Sequence, residues 1–178
     1  MSFRHGIFYC LYMPAKKNTV DIIIETPKGC RNKYAYDEEL KKFRLKKILP
    51  VGAVFPFDFG FIPGTKGEDG DPLDVLVIMD EPAYPGCVIE CRILGALKAK
   101  QTEKDKKKEE NDRLIAVSTV STSYSEVQSL KDINENILSQ IEEFFISYNK
   151  QAGKKFEPHG WANVKEAVQL IEQAKQDE

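Results

Sequence analysis

Short strand-like runs separated by proline and glycine fill the first two-thirds of the chain, and this punctuation most restricts what it can fold into. The first run, Val20–Glu25, is rich in β-branched residues and ends just before Pro27, as a strand closed by a turn does. Three later runs have the same character: Leu73–Met79, Cys87–Leu97 and Leu114–Val120. Gly95 predicts a bulge in the second of these. Such runs favour a small antiparallel β-barrel.

Helical periodicity is confined to the last third of the chain. Asp132 is the predicted N-cap of a first helix. Its apolar residues recur every three or four positions: Ile133, Ile137, Ile141, Phe144 and Tyr148. Pro158 and Gly160 predict a break before a second amphipathic helix, whose apolar positions are Val164, Ala167, Val168 and Ile171. Strands followed by helices predict an α+β fold that is mainly β.

The length of 178 residues suits one domain with a hydrophobic core and is too short for two. We predict an N-terminal extension over residues 1–18 and a single domain over residues 19–178. The highly charged stretch Lys98–Arg113 has no hydrophobic period and is predicted to be an exposed loop. No stretch approaches the ~20 apolar residues of a membrane span, so no membrane partner is expected.

The net charge of −2 gives no global attraction for nucleic acid or an anionic membrane surface. Any site for a polyanion must therefore be local. The four cysteines, Cys10, Cys30, Cys87 and Cys91, lack the paired spacing of a zinc site. They are expected to be small apolar residues in a reducing cytoplasm.

Four acidic residues crowd one short segment, Glu68-Asp69-Gly70-Asp71-Pro72-Leu73-Asp74. Carboxylates this close repel one another unless a cation lies among them. Mg²⁺ takes one or two carboxylates together with phosphate oxygens and water. Gly70 permits an unusual turn, and Pro72 stiffens it. The segment predicts a site for a hard divalent cation, and a solvated acidic turn without a function is the alternative. A calcium EF-hand is excluded, because Leu73 and Asp74 stand where that loop needs an acid or asparagine and then glycine.

Several segments, in order along the chain, resemble the family I soluble inorganic pyrophosphatases. Asp69–Val75 is similar to the signature of that family. The other matching segments are Ile24–Pro27 with Lys33-Tyr34, Phe55–Ile62, Pro85–Ile89, Arg113–Val117 and Phe144–Tyr148. The resemblance runs from about Thr19 to the C-terminal helix, so the N-terminal extension lies outside it.

The resemblance implies a closed five-stranded β-barrel of the oligonucleotide-binding type, with flanking helices of which two are C-terminal. It also implies hydrolysis of diphosphate to two phosphates, by a metal-activated water and several Mg²⁺ ions, in a homo-oligomer. Diphosphate is a polyanion, so its hydrolysis needs cations on substrate, nucleophile and leaving group. A nucleic-acid-binding barrel is disfavoured, because carboxylates occupy the place where phosphate backbones need cations.

The resemblance also assigns roles to single residues. Asp69, Asp71 and Asp74 ligate metal ions, and Asp71 is also the general base. Glu25 supports the acidic cluster. Four residues hold phosphoryl oxygens: Lys33, Lys47, Arg113 and Tyr148. By their surroundings alone, Lys33 would be a solvated surface lysine and Tyr148 a core aromatic, although a buried ring can still present its hydroxyl.

The sequence also departs from the family pattern. Ala35 replaces a glutamate, Lys47 an arginine, Phe55 and Phe59 two tyrosines, and Gln101 and Asn111 two metal-ligating aspartates. Asp112 is the acid predicted to complete the metal site, if a loop or bulge turns it inward. The other acids on offer are Glu103, Asp105, Glu109 and Glu110. Two functions follow: an active pyrophosphatase with a rebuilt metal site, or an attenuated homologue that binds metal or phosphate as a regulatory module.

Overall fold

The computed structural model describes residues 18–102 and 107–176. Within these residues the chain forms nine strands, two α-helices and one 3₁₀ turn. The strands are β1 (Thr19–Thr26), β2 (Asn32–Asp37), β3 (Lys42–Ile48), β4 (Asp58–Phe61), β5 (Asp74–Ile78), β6 (Val88–Thr102), β7 (Lys108–Glu110), β8 (Arg113–Ser118) and β9 (Lys155–Ala162). The helices are α1 (Glu135–Gln151) and α2 (Val164–Ala174), and the 3₁₀ turn is Leu130–Asp132. All but Asn18 of the predicted N-terminal extension lies outside the described residues.

Five of these strands close on themselves in a ring. β1 pairs with β4, β4 with β5, β5 with β8, β8 with β6, and β6 returns to β1. The pairing of β5 with β8 is parallel and the other four are antiparallel. The strand pattern had predicted a purely antiparallel ring, and that detail is wrong. The β6–β7 hairpin lies in the long connection that parallel neighbours require. The predicted α+β fold, mainly β with a closed set of five strands, is confirmed.

β6 is the longest described strand and carries a bulge at Gly95. Its pairing with β8 shifts register between Ile93 and Gly95, as the sequence predicted. A Cβ atom at Gly95 would lie 2.4 Å from the carbonyl oxygen of Ala162 in β9. Glycine is required there because β9 passes too close to β6 for any side chain.

The prediction of an exposed loop over Lys98–Arg113 is wrong for most of its described residues. β6 continues to Thr102, and β7 returns beside it with Glu109 directly opposite Gln101. The run shows no hydrophobic period because charged and polar side chains occupy both faces of this hairpin. Strand pairing, rather than apolar burial, therefore holds it in place.

Two further element predictions are corrected. Pro158 and Gly160 lie within β9, not in a break, and the pairing of β9 with β6 shifts register beside them. α1 begins at Glu135, and the side chain of Asn134 caps it. Asp132 instead ends the 3₁₀ turn, where its carboxylate accepts hydrogen bonds from two preceding backbone N–H groups. Asp132 and Asn134 are equally good N-cap residues by type, so the sequence alone does not decide which of them begins α1.

Alternate residues of the central strands belong to two hydrophobic clusters. In β5, Leu76 lies in one cluster and Val75 in the other. α1 packs on the first cluster through Phe145, and α2 packs on the second through Ile171, so both predicted amphipathic helices are present. Neither described helix is long and apolar enough to cross a membrane.

Candidate active site

One cleft, with a volume of about 710 Å³, gathers most of the residues that the sequence predicted to be functional. Its walls come from the β2–β3 hairpin, the turn before β5, the β6–β7 hairpin and the end of α1. Eight of the nine predicted site residues line it: Glu25, Lys33, Lys47, Asp69, Asp71, Asp74, Arg113 and Tyr148. The ninth, Asp112, lines a second cavity of about 330 Å³. This cavity borders the acidic segment over residues 68–74, the acidic turn.

A tight turn over residues 67–71 presents Asp69 and Asp71. The Gly67 N–H donates to the Asp71 carbonyl at 2.7 Å, and the Gly70 N–H donates to the Gly67 carbonyl at 3.1 Å. The Asp71 N–H donates to the Asp69 carboxylate at 3.1 Å. Gly70 has a φ of 88°, a left-handed conformation that glycine adopts without strain. Asp74 then begins β5, so the strand ring fixes its place beside the turn.

Two of the three aspartates are held by partners near the start of β8. An Asp69 carboxylate oxygen accepts a hydrogen bond from the Asn111 side-chain amide at 3.2 Å. Asp74 lies 3.0 Å from the Arg113 guanidinium, and Asp71 is exposed. Asp69 as a whole is also exposed, but desolvation of its carboxylate raises its pKa, and the charges of Asp71 and Asp74 add to that effect. A nearby cation would relieve this crowding of like charges.

Arg113 is the cation on the acidic side of the cleft. Its Nη1 contacts the Asp74 carboxylate, the Asn111 side-chain oxygen and the Asp112 carbonyl oxygen. The guanidinium carbon lies 5.4 Å from the centre of the Phe145 ring. Its Nε is buried and has no hydrogen-bond partner among the described residues. A buried donor without a partner is costly, which makes Arg113 a candidate to bind an anion.

Two lysines face each other on the opposite wall. Lys33 in β2 pairs directly with Lys47 in β3, and like charges in that arrangement destabilise a hairpin unless an anion lies near them. Burial lowers the pKa of Lys47, and the charges of Lys33 and Lys154 lower it further. Lys154 also lines the cleft. Glu25 already offsets the charge of Lys33, so it is the remaining charge of Lys47 that favours an anion at this wall.

Tyr148 in α1 packs among aromatic side chains and also lines the cleft. Its ring packs against Phe55, with centroids 5.6 Å apart, and against Phe144 at 5.7 Å. The ammonium group of Lys47 lies 3.6 Å from the centre of the same ring, a cation–π contact. Burial, followed by the charge of Asp74, raises the pKa of Tyr148 to about 12. The hydroxyl therefore stays protonated near neutral pH and can donate a hydrogen bond.

Glu25 is the buried anchor of the lysine wall. One carboxylate oxygen accepts from Lys33 at 2.7 Å, and the other accepts from the Tyr36 N–H at 2.8 Å. The ammonium group of Lys33 also lies 4.2 Å from the centre of the Phe59 ring. In this structure Glu25 therefore positions the cation of Lys33, and the support of the acidic cluster that the family resemblance implies stays a prediction.

Replacing Glu25 by glutamine should weaken substrate binding more than turnover, because Lys33 loses its charged anchor. We expect the KM for diphosphate, the substrate that the family resemblance implies, to rise roughly tenfold or more, since a hydrogen bond to a charged group contributes about 1.5 kcal/mol or more and about 1.4 kcal/mol is a factor of ten. Steady-state kinetics of Glu25→Gln measures this. The control is Asp37→Asn, which removes the exposed Arg44 pair of the same hairpin and should leave KM unchanged. A fall in kcat at constant KM would contradict the role of Glu25 in binding.

Asp112 lies in a separate ion-pair network. Its carboxylate accepts a hydrogen bond from the Ala99 N–H at 3.0 Å and lies 3.7 Å from Lys98. The ligand atoms of Asp112, Glu110 and His159 lie within 4.8 Å of one another, so a metal ion is sterically possible there. Both carboxylates, however, already face cations. Burial raises the pKa of Asp112, and the structure does not bring this residue to the main cleft.

The cleft also contains residues to which the sequence assigned no certain role. Gln101, Glu109 and Asn111 line it from the β6–β7 hairpin and the residue that follows. Alternation along the segment, with Glu109 and Asn111 on one face and Glu110 and Asp112 on the other, would have revealed them. The polar composition of both faces hides this signal, because without an apolar face the stretch resembles a loop. Glu103 and Asp105 lie outside the described residues.

A closed ring of strands carries a cleft lined by carboxylates and cations, an arrangement that suits a polyanion together with metal ions. A family described as inorganic pyrophosphatase matches residues 22–178. Over 159 residues the chain is 37% identical to an inorganic pyrophosphatase of Nostoc sp., with 89% of this chain and 91% of the relative covered. An inorganic pyrophosphatase of Haloferax volcanii is 38% identical over 162 residues, with 90% and 89% covered. The crystal structure of the inorganic pyrophosphatase from Thermus thermophilus superposes with a TM-score of 0.81 at 32% identity, covering 91% of each chain. The chain belongs to the inorganic pyrophosphatase family.

Proposed function

We propose that this protein hydrolyses inorganic diphosphate to two phosphates with the help of Mg²⁺. The observation that carries the proposal is the composition of the cleft, in which three aspartates of one turn share the lining with Lys33 and Lys47. The substrate needs cations around its oxygens, and the reaction needs carboxylates to hold metal ions and take up a proton. Membership of the family supports the same substrate.

The donors of the acidic turn fit Mg²⁺. Asp69, Asp71 and Asp74 supply carboxylate oxygens, the ligand type that this ion prefers. Mg²⁺ takes only one or two carboxylates and completes its shell with water and phosphate oxygens, and the family resemblance implies several such ions. When bound, Mg²⁺ would polarise phosphoryl oxygens and lower the pKa of a coordinated water.

Other residues of the cleft bind the substrate and take up the proton of the attacking water. Lys33 and Lys47 bind phosphoryl oxygens, and an anion between them removes their mutual repulsion. Tyr148 donates from a hydroxyl that stays protonated, and the guanidinium of Arg113 adds a fixed positive charge to the cleft lining. Asp71 is exposed in the cleft and takes the proton of the attacking water. Asn111 holds the carboxylate of Asp69 and Arg113 holds that of Asp74, so both carboxylates are in place for the metal.

The test is phosphate release from diphosphate by the full-length protein, measured with and without Mg²⁺. We expect release that depends on Mg²⁺ and stops when a chelator is added. Release no faster than the uncatalysed reaction with Mg²⁺, Mn²⁺ and Zn²⁺ would contradict the proposal.

A catalytically attenuated homologue is the second candidate, and Asn111 is the observation that favours it. Its neutral amide bridges Asp69 and Arg113, at a position where the family resemblance implies a carboxylate. Phosphate binding without hydrolysis in the same assay would select this alternative.

Cellular location and assembly remain proposals. Three free cysteines among the described residues, Cys30, Cys87 and Cys91, support a reducing cytoplasm. Exposed apolar side chains at Leu45, Ile48 and Val51 support a homo-oligomer. Light scattering behind size-exclusion chromatography measures the number of subunits.

A further inference from the structure

In the β6–β7 hairpin, β7 places an acidic side chain in the cleft directly opposite a neutral side chain of β6. Gln101 in β6 and Glu109 in β7 are directly paired across the hairpin, and both line the cleft. Directly opposed residues project their side chains to the same face of a sheet. Glu109 therefore occupies almost the same part of the cleft wall as the neutral Gln101.

The face that Glu109 occupies is selected by strand alternation. The next residue but one, Asn111, also lines the cleft and donates its hydrogen bond to Asp69. Glu110, between them, turns to the other side, where it lies 3.4 Å from Lys100 and 3.2 Å from His159. Two adjacent glutamates of one strand thus have different surroundings, and only Glu109 of the pair faces the cleft.

The ion pair of Glu109 does not account for its position. Its partner Lys107 is 67% exposed, whereas the Glu109 side chain is only 14% exposed. A pair with one solvated member contributes about 0–1 kcal/mol. A largely buried carboxylate in a cleft for polyanions would repel the ligand unless a cation lies between them.

We propose that Glu109 is a metal ligand of the cleft, which supplies from β7 a carboxylate for Mg²⁺ in addition to the three of the acidic turn. This inference rests on the proposed function, since it assumes that the cleft takes Mg²⁺ with diphosphate. The cation would offset the charge of Glu109 and bring positive charge to the hairpin wall, where Gln101 and Asn111 are neutral.

The experiment counts bound Mn²⁺, a hard ion with oxygen-ligand preferences similar to those of Mg²⁺, on the full-length protein by electron paramagnetic resonance and calorimetry. Glu109→Gln should lose one ion or bind one class of ions at least about tenfold more weakly, because even outer-shell partners change metal affinity by roughly 10- to 100-fold. Glu157→Gln is the matched control, since it removes the same charge from β9, where the carboxylate pairs with exposed lysines outside the cleft lining, and it should bind Mn²⁺ as the unaltered protein does. Lys107→Gln tests whether the ion pair alone matters, and it should also show unaltered binding.

The double variant Gln101→Glu with Glu109→Gln moves the carboxylate across the hairpin and should restore the lost ion. Thermal unfolding of each variant separates metal loss from misfolding. Unaltered Mn²⁺ binding by Glu109→Gln overturns the proposal, and so does an equal loss in Lys107→Gln. The diphosphate assay of the unaltered protein is scored separately: inactivity there rejects the proposed function, whereas activity with unaltered Mn²⁺ binding in Glu109→Gln rejects only the role of Glu109.

Discussion

Asp71→Asn is expected to lower kcat for diphosphate hydrolysis by about 10²- to 10⁴-fold, the contribution of a positioned general base. Asparagine has nearly the same shape as aspartate, but its amide cannot take up the proton of the attacking water. The turn itself should survive, because Asp71 contributes to it through its backbone N–H and carbonyl groups. Phosphate release at saturating Mg²⁺ and diphosphate measures the effect.

Glu68→Gln is the control for Asp71→Asn, since it removes an acid of the same segment that lines the second cavity and not the main cleft. Its kcat should stay within roughly twofold, the range of most surface substitutions. Mn²⁺ binding to Asp71→Asn then separates two roles of the residue. Unchanged binding with low kcat supports a general base, whereas lost binding assigns Asp71 to the metal alone. A kcat close to that of the unaltered protein would contradict both roles.

The acidic turn was the most predictable part of the site, because its chemistry is local. The spacing of Asp69, Asp71 and Asp74, with Gly70 between them, is visible in seven consecutive residues, and the turn forms through its own backbone hydrogen bonds. The Gly95 bulge was predictable for a related reason, since a glycine within a strand signals a close approach of another segment. The identity of that segment, β9, was not visible in the sequence.

The β6–β7 hairpin was least predictable, because its stability does not come from an apolar face. A strand pattern in sequence normally reports burial of alternate residues. Here the alternation separates one polar surface from another, with Glu109 toward the cleft and Glu110 toward Lys100 and His159. Asp112 was assigned to the cleft on the condition of a bulge. The structure has Asn111 there instead, and a one-residue difference reverses the face.

The strand β9 was also hard to predict from the sequence, because it contains Pro158. Proline within a run normally argues against a strand because it cannot donate to the ladder. β9 tolerates it because its pairing with β6 shifts register near that point. Such shifts depend on the partner strand, which is remote in sequence, so they are set by tertiary structure and not by local preference.

Arg113→Lys should lower kcat/KM for diphosphate by about 10²- to 10³-fold, the loss typical of one preorganised donor to a developing charge. Lysine keeps the positive charge but lacks the planar fork. It therefore cannot keep the contacts of Arg113 with Asp74 and Asn111 and also offer a donor to the substrate. Steady-state kinetics of the variant at saturating Mg²⁺ measures the change.

Arg113→Met separates this catalytic role from a structural one. Without the guanidinium, the side-chain oxygen of Asn111 loses its donor and Asp74 loses its ion pair, so the free energy of unfolding should fall by about 1–3 kcal/mol. Arg92→Lys is the matched control, because Arg92 is also buried and donates to the carbonyl groups of Ser125 and Val127, away from the cleft. Urea denaturation should show that Arg113→Met and Arg92→Lys are both destabilising. Only the substitutions of Arg113 should lower kcat/KM per folded molecule. If Arg92→Lys lowered kcat/KM as much as Arg113→Lys, the effect would belong to the packing of the fold and not to a cation aimed at the substrate.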